Sequence, residues 1–108
     1  MWKFLKTKWA REESQGAGTP PDDFQRVCRV FSELPPENPL ADPQVMPVAC
    51  TGNYLWRFKP AKMPERRYRG IFAADRENER AILLAVYPRN GDTYNPARMR
   101  NLRRRLEQ

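Results

Sequence analysis

The 108-residue chain contains no histidine, so the side chain most often used to move protons near neutral pH is missing. It holds arginine, lysine and tyrosine at two-residue spacing instead: Arg57 with Lys59, Arg67 with Arg69, and Tyr87 with Arg89. Residues two apart on a strand share a face, so each pair is predicted to point one way. Guanidinium groups fork onto phosphate oxygens but are poor proton carriers. The chemistry this set suits is the binding of a phosphate-bearing polyanion. The two cysteines, Cys28 and Cys50, are too few for a disulfide framework and have no histidine to complete a zinc set. They are read as small apolar residues in a reducing cytoplasm, and neither metal nor cofactor is expected.

The charge is unevenly placed. Residues 1–56 carry six basic and seven acidic side chains, a net of −1, whereas residues 57–108 carry fourteen and six, a net of +8. A basic half of this kind fits a polyanion or an acidic protein partner, or a merely solvated surface. No apolar run approaches the ~20 residues of a membrane span, and the N-terminus shows no signal-peptide h-region. A single cytoplasmic domain over residues 1–108, with no membrane partner, is the expectation.

The elements that must position these residues follow from period and punctuation. Trp2 to Lys6 reads as a first strand and Thr7 to Gln15 as a first helix. Thr19-Pro20-Pro21-Asp22 looks like a helix start with Thr19 as cap. Phe24, Val27, Cys28, Phe31 and Leu34 then form an amphipathic stripe that Pro35-Pro36 ends. Glu37 to Pro47 contains three prolines and reads as a loop. Strands are predicted over Asn53 to Lys59, Arg67 to Ala73 and Arg80 to Tyr87, and a helix after the Asn95-Pro96 start signal. Around its apolar stripe of Met99, Leu102 and Leu106 lie Arg98, Arg100, Arg103, Arg104 and Arg105. The fold class is α+β: a small, mostly antiparallel four-stranded sheet packed by two N-terminal helices, with a basic C-terminal helix. Alternation puts Tyr54, Trp56, Phe58, Tyr68, Gly70, Phe72, Ile82, Leu84 and Val86 on a helix-covered face. The opposite face collects Arg57, Lys59, Arg67, Arg69, Tyr87 and Arg89 around Leu55, Ile71, Leu83 and Ala85, a basic, half-apolar concavity.

The runs Leu55-Trp56-Arg57-Phe58-Lys59, Arg67-Tyr68-Arg69-Gly70-Ile71-Phe72 and Leu84-Ala85-Val86-Tyr87-Pro88-Arg89, followed by Tyr94, resemble the C-terminal half of RelE/ParE-superfamily toxins of bacterial type II toxin–antitoxin systems. Lys3-Phe4-Leu5-Lys6-Thr7-Lys8-Trp9 resembles the start of some members. The resemblance implies a ribosome-dependent endoribonuclease that cleaves mRNA by attack of a 2′-hydroxyl on the adjacent phosphate, restrained by an acidic antitoxin. It implies that Arg69 contacts the scissile phosphate, that Arg89 sits near the leaving group, and that Arg57 and Lys59 support the charged transition state. Tyr94 would stack a base or handle a proton, and Arg67, Tyr87, Arg103 and Arg104 would extend the RNA-binding surface. Dense positive charge favours a phenolate, which makes a proton role for a tyrosine physically reasonable. The chain departs from the pattern in having Arg57 for a lysine, Pro88 where many relatives carry another lysine, and Glu65 beside Arg66 and Arg67. A ParE-like toxin directed at a topoisomerase, or a non-enzymatic RNA- or protein-binding module, shares most of these features.

Overall fold

The computed structural model describes residues 1–49, 51–52, 54–61 and 67–107. Cys50, and the suggested pairing of Glu65 with Arg66 or Arg67, lie outside them. Strands β1 (Lys3–Lys6), β2 (Val45–Pro47), β3 (Leu55–Phe58), β4 (Tyr68–Asp75) and β5 (Arg80–Pro88) are joined by helices α1 (Ala10–Gly16), α2 (Pro21–Ser32) and α3 (Pro96–Leu106). The strands form one sheet in the order β1-β5-β4-β3-β2. The class is α+β, but the sheet has five strands and is mixed, since β1 runs parallel to β5 while the other pairs are antiparallel. The strand not anticipated is β2. It lies inside the proline-rich stretch read as a loop, and survives there because it is a short edge strand with Pro47 at its end, where a missing donor costs little. A 3₁₀ turn at Pro39–Ala41 precedes it. Among the described residues no helix is long and apolar enough to cross a membrane.

The sheet is covered on both faces. On one, Phe24, Val27, Phe31 and Leu34, from α2 and the residues just after it, pack on Phe58, Phe72, Leu83 and Val86. Phe31 sits at the centre, with its ring 5.2 Å from Phe72 and 6.1 Å from Phe58. Gly70 makes room here: a Cβ at that position would stand 3.3 Å from Phe58 Cδ1. On the other face, Met99 and Leu102 of α3 pack on Leu55, Ile71, Leu84, Ala85 and Tyr87. Alternation sorted β3 and β4 correctly, Tyr54 excepted, which precedes β3 and packs toward α3. It failed in the first half of β5. Ile71 pairs with Ala85 but Phe72 with Leu83, so Leu84 is an extra residue in a β-bulge. The bulge puts Leu83 under α2 and Ile82 and Leu84 under α3, the reverse of the expected sides, while Val86, Ala85 and Tyr87 keep theirs.

β1 pairs with β5 only as far as Leu83. Beyond that point α1 covers the open edge of β5 and supplies polar atoms to it. The Ser14 hydroxyl accepts a hydrogen bond from Val86 N (2.8 Å) and donates one to Ala10 O (2.6 Å), and the Thr19 hydroxyl donates to Val86 O (2.6 Å). Thr19 is therefore not the α2 cap: it is buried against the sheet, and Pro20 occupies the cap position with no side-chain hydrogen bond. Asn95 does cap α3, accepting from Ala97 N and Arg98 N. A buried N–H or C=O left unsatisfied costs about 1–3 kcal/mol. Ser14→Ala should therefore lose stability of that order by urea unfolding, as should Thr19→Val. Ser32→Ala, whose hydroxyl bonds Arg29 O at the exposed end of α2, should stay within about 0.5 kcal/mol of wild type. Equal effects at all three positions would contradict the role given to the β5 edge.

Candidate nucleic-acid interface

Arg57, Arg69, Arg89 and Tyr94 come from four places in the chain and meet at one end of the α3-covered face. Arg57 projects from β3, half-buried, with its guanidinium 5.8 Å from the centre of the Tyr94 ring. Arg69 projects from β4 opposite Tyr87 of β5. Arg89 follows the end of β5 and is exposed, its backbone N–H bonded to Arg67 O. Tyr94 is held in a tight connection. The Thr93 hydroxyl accepts from Asn90 N and contacts the carbonyls of Pro88 and Asn90, while Asp92 N donates to Asn90 Oδ1. One residue later the Asn95 cap begins α3, so Tyr94 is fixed from both sides.

Burial divides this set. Arg69, assigned the scissile phosphate from the sequence, is only 3% exposed, and its Nη1 donates to Tyr68 O at 2.9 Å. Burial pulls the Arg69 guanidinium below its usual range, Tyr94 opposes that shift, and the like charges of Arg89 and Arg57 add to it. Arg57, Arg89 and Tyr94 all lie close enough to Arg69 to act on it electrostatically. The Tyr94 hydroxyl is also buried, and makes no hydrogen bond of standard geometry among the described residues. It faces the protein while the ring lines the cavity described below. Arg69 is thus the buried member of the cluster, whereas Arg89 is exposed and Arg57 and Tyr94 are half-buried.

Tyr87, expected on the RNA-binding surface, is fully buried. Its hydroxyl donates to Glu13 Oε1 (2.8 Å), and the Arg98 guanidinium lies 4.2 Å from its ring centre. Lys59 and Arg67 are exposed at the ends of the strands, as are Arg103 and Arg104 on α3. Arg103 lies over Tyr54 (4.5 Å) and pairs with Glu107 (3.5 Å). Arg105 lies over Trp9 (4.5 Å) and reaches Glu13 Oε2 (3.3 Å). Three of the α3 arginines are therefore occupied in holding the helix to the body of the protein. Cys28 is half-buried beside the α2 core, and burial pushes its thiol up against the opposing charges of Lys6 and Arg11.

A cavity of about 530 Å³ opens beside the cluster, between β3, the residues after β2 and the start of α3. Val48, Leu55 and Met99 give it an apolar floor, and Arg57, Arg100 and Arg103 stand at its rim beside Tyr94. The sequence reading passed over Arg100 as one of several helix arginines. The available signal was its spacing: Arg100 and Arg103 are three apart, hence neighbours on one helix face. The chain matches no family model, no curated protein and no solved structure.

The Tyr87 environment carries a pH consequence. Burial first, then the hydrogen bond and charge of Glu13, hold its phenol well above the ordinary range, only partly offset by Arg98 and Arg105. In the unfolded chain the phenol ionises near pH ~10. Above that pH the unfolded state holds fewer protons than the folded one, so stability falls as pH rises. Below it the contribution is fully present. Urea unfolding between pH 8 and 11 should show a steep loss of stability in the wild type and a shallower one in Tyr87→Phe. Parallel curves would refute the buried, neutral Tyr87.

Proposed function

We propose that this chain is an RNA-directed toxin of RelE/ParE type, a metal-independent endoribonuclease that engages mRNA on the ribosome and is restrained by an acidic antitoxin. The observation that carries the reading is the meeting of Arg57, Arg69, Arg89 and Tyr94 at one end of the sheet from four separated positions. Arginine beside an aromatic ring suits a nucleotide: the ring takes a base face and the guanidinium groups take phosphate oxygens.

In the proposed reaction a ribose 2′-hydroxyl gives up its proton to solvent water as its oxygen attacks the adjacent phosphorus, and the bond to the 5′-oxygen breaks, leaving a cyclic phosphate and a 5′-oxygen that must be protonated. Arg57 and Arg89 bear on the phosphate, where negative charge grows in the transition state. Lys59, exposed two residues beyond Arg57 at the end of β3, supplies as an ammonium the proton to the departing 5′-oxygen. The burial of its hydroxyl favours stacking over proton transfer for Tyr94. The exposed Arg67 and Arg104 contribute attraction along the strand, and Arg103 does so after leaving Glu107.

The test is single-turnover cleavage on ribosomes programmed with mRNA. Arg89→Ala should slow cleavage about 10²-fold, the scale for removing one preorganised donor, and Tyr94→Ala comparably, with smaller changes in binding. Tyr94→Phe should retain most activity. No cleavage by the wild type would leave the non-nuclease toxin in its place. A fast wild type with an inactive Tyr94→Phe would return the proton role to the phenol. RNA affinity should fall steeply with salt, and Arg89→Glu with Arg104→Glu should flatten that slope. An affinity indifferent to salt would remove the polyanion reading.

A further inference from the structure

We propose that the 530 Å³ cavity between β3 and the start of α3 is a binding site for a small amphipathic anion: an apolar body carrying one carboxylate or phosphate. This inference does not rest on the RNA reading, although Arg57 and Tyr94 belong to both sites. The cavity is the size of ordinary small-ligand pockets, about 300–1,000 Å³. Its floor is built by Leu55, 1% exposed, and Met99, 3% exposed. These side chains offer no hydrogen bond to a polar body but reward an apolar one at about 25 cal/mol per Å².

The rim has the opposite character. Arg57, Arg100 and Arg103 line it, and no acidic side chain does so among the described residues. Three like charges around an apolar floor are mutually repulsive until an anion arrives. Arg103 is already shared between the Tyr54 ring and Glu107. Arg100 makes no ion pair among the described residues and is exposed at the mouth, and Arg57 is held in place over Tyr94. Arg57 and Arg100 are therefore the pair that takes the head group, by charge-assisted hydrogen bonds of the forked kind that carboxylate and phosphate both accept. A ligand of this class is anchored at one end by charge and along its body by the floor. Charge alone would not distinguish it from inorganic phosphate, and apolar area alone would not distinguish it from an alcohol.

The experiment titrates the whole protein, without RNA or ribosomes, with octanoate, octyl phosphate and octan-1-ol, following backbone amide shifts by NMR. Both anions should bind, at least about tenfold more tightly than octan-1-ol and than acetate or inorganic phosphate. The shifts should centre on Leu55, Tyr94 and Met99. The stronger of the two anions identifies the head group. Arg57→Gln with Arg100→Gln should bring octanoate and octan-1-ol to within about threefold of each other. Equal binding of octanoate and octan-1-ol by the wild type would overturn the proposal without need of any variant. So would an acetate affinity matching that of octanoate, shifts centred elsewhere, or no binding of either anion.

Discussion

Beyond Leu83, β5 runs past the end of its parallel neighbour while still carrying main-chain groups that face away from β4. Water is excluded there, because Val86 is fully buried, so its N–H and C=O need partners inside the protein. Ser14 and Thr19 supply them, and with that α1 has one place to sit. The preceding residue in α1 extends the same constraint to the other side of the sheet. Glu13 accepts from the Tyr87 hydroxyl and from Arg105, so two successive residues of a seven-residue helix tie β5 and α3 together. α2 follows on the opposite face, and Tyr68 Oη, donating to Asp23 Oδ2 at 2.6 Å, fixes the angle of its first turn.

The arginine-rich C-terminal helix is as much a packing element as a charged surface. Its apolar stripe is narrow, with Met99 and Leu102 the fully buried contacts. Arg98, Arg103 and Arg105 widen it by lying over Tyr87, Tyr54 and Trp9. Each such contact contributes roughly 0.5–2 kcal/mol, depending on how dry it is, and the aliphatic stems cover apolar surface as well. The net charge of +7 therefore overstates what is available to a polyanion. Of those discussed, Arg57, Arg89, Arg100 and Arg104 make no ion pair among the described residues and are the ones best placed to meet a polyanion.

The sequence made some of this legible and hid the rest for identifiable reasons. Period-two alternation placed Trp56, Phe58, Tyr68 and Phe72 under α2 because β3 and β4 stay in register from Leu55 to Phe58. In β5 a one-residue bulge at Leu84 is invisible to pattern reading, since Ala-Ile-Leu-Leu-Ala-Val offers apolar residues on both faces whichever register is chosen. Thr19 before two prolines has the composition of a helix cap, and tertiary burial overrode it. Alternation puts Tyr87 on the face that carries Arg57 and Arg69, which it does occupy, but the pattern does not show that α3 covers that part of the face. Nothing local announces that Glu13, 74 residues away, is waiting for its hydroxyl. The family resemblance groups Arg57, Lys59, Arg69, Arg89 and Tyr94, and four of these, all but Lys59, are neighbours in the structure. What the resemblance did not supply was depth, which separates Arg69 from the residues in front of it.

That depth gives the cluster a direction. Arg69 is disfavoured as a cation by its burial and by the like charges of Arg89 and Arg57, and favoured by Tyr94, yet a guanidinium keeps its proton under all these pressures. The charge therefore stays, and the free energy of holding it there is lowered by anything that brings negative charge to the front of the cluster. An anion bound at Arg57 or Arg89 does this through a low-dielectric layer, where the interaction is screened less than at an open surface. By linkage the same anion stabilises the fold.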